Sequence, residues 1–113
     1  MLQATFMFRP GQIDAEFDVL NAQISARAEQ IDGFVGEESW RFPKGDLRLA
    51  VYYWSDREGL DRFVRDAVHV KAKGRQSQWY NGYHVIVSQI VSTYGDGKLP
   101  HVTGDWRRTR RAR

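Results

Sequence analysis

The chain has no cysteine. Disulfides, thiolate nucleophiles and Cys-ligated metals are therefore excluded, and cysteine usage leaves the redox compartment open. No apolar run approaches the roughly 20 residues that a membrane-spanning helix needs. The first eight residues, Met1 to Phe8, have neither a basic lead nor an unbroken apolar segment, so a signal peptide is not expected and the cytoplasm is the default location. Proline is scarce, at three residues, and there is no Ser/Pro-rich linker and no internal repeat. Glycines never form G-x-G-x-x-G or a phosphate loop. His69, His84 and His101 lack ligand spacing, so no metal is expected.

What is present suits one packed domain. The 113 residues are 42% hydrophobic and 13% aromatic, ample for a core and too apolar for global disorder. The formal charge of +3 misleads. Arg107, Arg108, Arg110, Arg111 and Arg113 lie in the last seven residues; taking those five from 17 basic residues leaves 12 against 14 acidic, a balance of −2 for the body. The body has no broad basic face, and nucleic acid is not an expected partner. From Gly95 onward Gly, Asp, Pro and Arg replace periodic patterning, so 1–95 reads as the domain and 96–113 as a basic tail.

Along the chain, Leu2, Ala4, Phe6 and Phe8 alternate with Gln3, Thr5, Met7 and Arg9, giving a strand with one core face. After Pro10-Gly11, the residues Ile13, Phe17, Leu20, Ile24 and Ile31 share one helical face, and Asp32-Gly33 ends that helix. Phe34 to Phe42 alternates again, Pro43-Lys44-Gly45-Asp46 turns, and Leu47 to Trp54 is a β-branched and aromatic strand; the two read as a hairpin. Ser55 with Glu58 makes a capping box for a helical region from Asp56 to about Gln78, broken near Asp66 to His69. Tyr80 to Tyr94 is the last and longest strand, apolar in both registers and therefore expected to be covered on both faces.

The order strand, helix, strand, strand, helix, strand predicts an α+β chain. It is a ferredoxin-like split βαβ arrangement with an antiparallel sheet. Helices cover one face of such a sheet. An apolar second face calls for a partner, and a twofold homodimer is the simplest.

Chemistry-bearing residues gather around the strand that ends at Trp54. Alternation puts Tyr52 and Trp54 on one face, where an indole can wall a planar aromatic substrate. His69 titrates near neutral pH and is the candidate base. Arg75 is the candidate to hold a developing phenolate or enolate. Trp79 and His84 are further candidates for substrate contact.

Together, Gly33-Phe34-Val35-Gly36, Tyr53-Trp54-Ser55, His69 ahead of Ala72-Lys73, Gly74-Arg75, Trp79-Tyr80 and Tyr94-Gly95 resemble the antibiotic biosynthesis monooxygenase (ABM) family over residues 1–95. The resemblance implies a dimeric α/β barrel. It also implies cofactor-independent oxidation of an aromatic or polyketide-like small molecule. In the quinone-forming type an Asn lies four residues before the Trp and a pocket Tyr six residues after it; here those positions hold Ala50 and Leu60. In the haem-degrading type a Trp and a haem-ligating His would fall near Phe63 and Lys73, where neither residue is present. The departures keep open an accessory dimer that binds a hydrophobic metabolite without catalysis. Haem binding is the more remote alternative.

Overall fold

A computed structural model describes residues 1–72, 76–104 and 106–107; for 68–72, 76–77 and 106–107 only the backbone course is described. Strands β1 (Leu2–Pro10), β2 (Phe34–Phe42), β3 (Leu47–Trp54) and β4 (Tyr80–Gln89) form one antiparallel sheet in the spatial order β2-β3-β1-β4. Helices α1 (Ala15–Glu29) and α2 (Arg57–Ala72) pack on one face. The expected α+β, ferredoxin-like fold is therefore present. The β2–β3 hairpin turns through Gly45 and Asp46, both at positive φ (84° and 50°).

Alternation decides which side chains face the helices. Ala4 and Tyr52, partners across β1 and β3, join Ile24, Ala28, Trp54, Leu60 and Phe63 in the larger core cluster. Phe8, Phe17 and Trp79 form the smaller one. Side chains one residue out of phase, such as Thr5, Val51 and Tyr53, point to the opposite face and are also buried.

Four local readings need correction. The cap of α2 is Asp56, whose Oδ1 accepts from the Gly59 N–H at 2.8 Å; Ser55 instead donates to Asp56 at 3.4 Å. A cap oxygen must reach the N2 or N3 amide, and Asp56 directly precedes the first helical residue. The helix is unbroken through Asp66 to His69. The last strand stops at Gln89; Ile90 and Val91 separate it from the short strand β5 (Ser92–Thr93), which pairs with β6 (Trp106–Arg107). In the single chain β4 is not covered on both faces: Tyr83 and Val85 on the helix side and Ile86 on the other are 64%, 47% and 44% exposed.

A four-residue helix, α3 (Gln76–Trp79), leads into β4. The Gly11 and Gln12 amides donate to the carbonyls of Trp79 and Gln78 at 2.6 and 2.8 Å. A Cβ on Gly11 would run into the Gln78 carbonyl oxygen, so glycine is required for this close approach. Among the described residues, no helix is long and apolar enough to cross a membrane.

Candidate active site

A cavity of about 550 Å³ lies between the sheet and the two helices. That volume is within the usual range for small-molecule sites. Phe6 and Phe8 of β1, Tyr52 of β3, Phe17 of α1, Phe63 of α2 and Tyr80 supply aromatic wall. Their rings pack edge-to-face or tilted: Tyr52 lies 4.5 Å from Phe63, and Phe8 lies 5.0 Å from Tyr80. Such contacts hold the wall at fixed angles. Ala50 also lines the cavity, and its small side chain leaves space between its strand neighbours on the same face, Arg48 and Tyr52.

The polar groups of the wall are few. The Tyr52 hydroxyl interacts with Ser25 and Glu37, and burial, reinforced by the Glu37 charge, pushes its pKa well above the ordinary 10.0. It is therefore a neutral donor and acceptor at physiological pH. Burial also pushes Tyr80 up to about 12. Asp18 and Asn21 of α1 and Ser39, Arg41 and Arg48 of the hairpin complete the polar lining. The Arg48 Nε is buried and has no hydrogen-bond partner among the described residues. Its approach to Asp46, at 3.7 Å, is an ion pair beyond hydrogen-bonding distance.

Of the residues singled out from sequence, Tyr52 lines this cavity. Trp54 lies behind it, fully buried between Phe34 and Phe63 at 5.2 Å from each ring. Its indole N–H has no hydrogen-bond partner among the described residues. Trp79 is equally enclosed: it packs edge-to-face on Phe17 and donates from Nε1 to Asp14 Oδ1 at 3.0 Å. His84 is exposed and alternates onto the sheet face away from the helices. His69 is on α2, but its side chain, like the whole of Arg75, lies outside the described residues. Sequence reasoning missed Arg48, Arg41, Asp18 and Asn21. Period-two phasing with Tyr52 would have found both arginines.

A second polar cluster lies on the opposite face. Tyr53 donates to Glu38 Oε1 at 2.6 Å, and His101 Nε2 sits 2.9 Å from the same oxygen. The Thr103 amide donates to His101 Nδ1, so the neutral ring carries its proton on Nε2, facing Glu38. Burial alone would raise the Glu38 pKa, but the hydrogen bonds from Tyr53 and His101 outweigh it and hold the carboxyl below 4.5. Thr103 and Thr93 hydroxyls lie 2.7 Å apart and extend the chain of contacts. Among the described residues, no group of three or more His, Asp or Glu side chains could hold a metal ion.

No family model and no curated protein matches this sequence. Solved structures do match. A mutant of SnoaB, a cofactor-independent oxygenase from Streptomyces nogalater, superposes with a TM-score of 0.63 at 16% identity, covering 88% of this chain and 97% of that one. The chain shares the fold of that oxygenase. An antibiotic biosynthesis monooxygenase matches with a TM-score of 0.52 at 17% identity, over 80% of this chain and 99% of its own. A protein of Mycobacterium tuberculosis matches with a TM-score of 0.64 at 13% identity, over 79% and 93%. At these identities the likeness carries the fold alone and leaves reaction and substrate to the site.

Proposed function

We propose that this protein is a cofactor-independent monooxygenase of the ABM family that oxidises an aromatic or polyketide-like compound in the cavity under α1 and α2. The supporting observation is the cavity itself: about 550 Å³ of mostly aromatic wall with a few polar groups, in a fold shared with a cofactor-independent oxygenase. A phenolic compound with an activated CH₂ loses a proton to a base. The carbanion passes an electron to dioxygen, and the radical pair combines into a C–O–O⁻ peroxide. Protonation and loss of water leave C=O, so one oxygen atom enters the product and the other leaves as water.

In this reading Tyr52 walls the substrate, His69 is the base and Arg75 steadies the anion. Trp54 and Trp79 hold the rings that line the site, and His84 stands aside. The protein acts as a cytoplasmic homodimer, its exposed β4 side chains covered by a second copy. The test is turnover of a hydroxyanthrone under ¹⁸O₂ with no added cofactor. The expected result is a quinone carrying one ¹⁸O atom, with one O₂ consumed per product. A rate equal to the protein-free control would overturn the proposal.

A non-catalytic metabolite-binding dimer is the second reading. Among the described residues lining the cavity there is no histidine, and Asp18 is the one carboxylate. Binding of the anthrone without oxygen uptake would decide for it.

A further inference from the structure

Arg41 and Arg48 are direct partners across the β2–β3 hairpin, and both line the cavity. Like charges placed opposite one another on one face of a sheet repel. A single carboxylate stands between them: Asp46 Oδ1 lies 3.7 Å from the Nε of each. Neither contact is a hydrogen bond, and one negative charge cannot balance two guanidinium groups. Among the described residues the buried Arg48 Nε has no hydrogen-bond partner, and a buried donor without one is costly.

We propose that Arg41 and Arg48 form a subsite for a carboxylate, so that the natural ligand is an aromatic acid. The proposal rests on the cavity under the helices being the ligand site. A guanidinium offers paired N–H donors whose spacing matches the two oxygens of a carboxylate. The dimensions suit this assignment. Arg48 and Tyr52 are four residues apart on one strand, about 13 Å at the usual rise per residue. A ligand of two or three fused rings fills that interval over Ala50, with its acid group at the arginines and its ring system against the Tyr52 ring. Asp18 of α1 also lines the cavity and is the one other charged group of its wall among the described residues. Its charge opposes an anionic ligand, so its removal should strengthen binding.

The test compares 2-naphthoate with its methyl ester, by calorimetric titration of the full chain and of the variants Arg48→Gln and Asp18→Asn. The acid is expected to bind about tenfold more tightly than the ester, the usual scale of one charge-assisted hydrogen-bond pair. That preference should shrink with added salt, vanish in Arg48→Gln and grow in Asp18→Asn. A melting curve confirms that each variant is folded, and Arg48→Lys, which keeps the charge but loses the fork, should keep only part of the preference. Equal binding of acid and ester, or a preference that survives Arg48→Gln, overturns the carboxylate subsite while leaving the cavity reading intact. Failure of both probes to bind overturns the cavity reading and the subsite with it.

Discussion

Asp14 shows how much one side chain organises. It caps α1, with Oδ1 accepting from the Phe17 amide at 3.0 Å, and the same oxygen accepts from the Trp79 indole. Its Oδ2 accepts from Gln78 at 3.2 Å. One carboxylate thus ties the first helix to the start of β4, 65 residues on. Asp14→Ala should destabilise the protein by about 2–3 kcal/mol, the sum of a lost cap and a stranded indole N–H. Chemical denaturation measures this, and a loss under 0.5 kcal/mol would mean that the indole contact is not made in solution. None of this was legible in sequence beyond an acidic residue before an apolar stripe, because the Trp79 partner is remote. Tyr52, by contrast, was legible, since strand phasing alone sets its face.

The buried tyrosines give a pH dependence with a definite sign. Tyr52, Tyr53 and Tyr80 hold their protons more tightly folded than unfolded. Their contribution is fully present below the ordinary value of 10.0 and is lost as pH rises from there through about 12, the value to which Tyr80 is pushed. Denaturation midpoints should fall across that interval, and Tyr52→Phe should flatten the fall. A slope unchanged by that substitution would contradict the assignment.

Among the elements, strands β1 to β3 were readable to within a residue. Their alternation is strong and each ends at a glycine, proline or aspartate turn. The errors fell where two signals compete. Ser55 and Asp56 are both capable caps, and the residue adjacent to the helix prevails. Ile90 and Val91 continue an apolar pattern, but the chain leaves the sheet there, although the Ile90 amide still donates to the Met1 carbonyl at 2.9 Å. Beyond Gly95 periodicity is silent, and contact is made by single residues. His101 bonds Glu38, and Val102 lies so close to Gly36 that a Cβ there would meet it at 2.8 Å. His101→Ala should therefore speed amide exchange between Thr93 and Gly104 and return the Glu38 pKa towards 4.5. Unchanged exchange in that segment would show that the histidine contributes nothing to holding it.

At the scale of the whole molecule, helices cover one side of the sheet, and the edge strand β4 is left with apolar side chains exposed. Trp40, on the other edge strand, is 59% exposed as well. The proposed second copy would cover this apolar surface. Light scattering should give a particle of twice 13.1 kDa; a particle of 13.1 kDa would remove the dimer from the account. Element order made the fold legible. The site was only half legible, because its walls come from both helices and all four strands of the main sheet, and only strand phasing could be extrapolated that far.

The cavity under the helices is the claim on which the function depends, and filling it tests that claim most directly. Oxygen uptake with a hydroxyanthrone should be measured for the natural chain and for Ala50→Phe, whose ring would occupy the space between Arg48 and Tyr52. The account predicts uptake by the natural chain and a loss of at least about a hundredfold in the variant, the scale on which misplaced substrates lose rate, with the melting curve still cooperative. Undiminished uptake by a folded Ala50→Phe protein would contradict it.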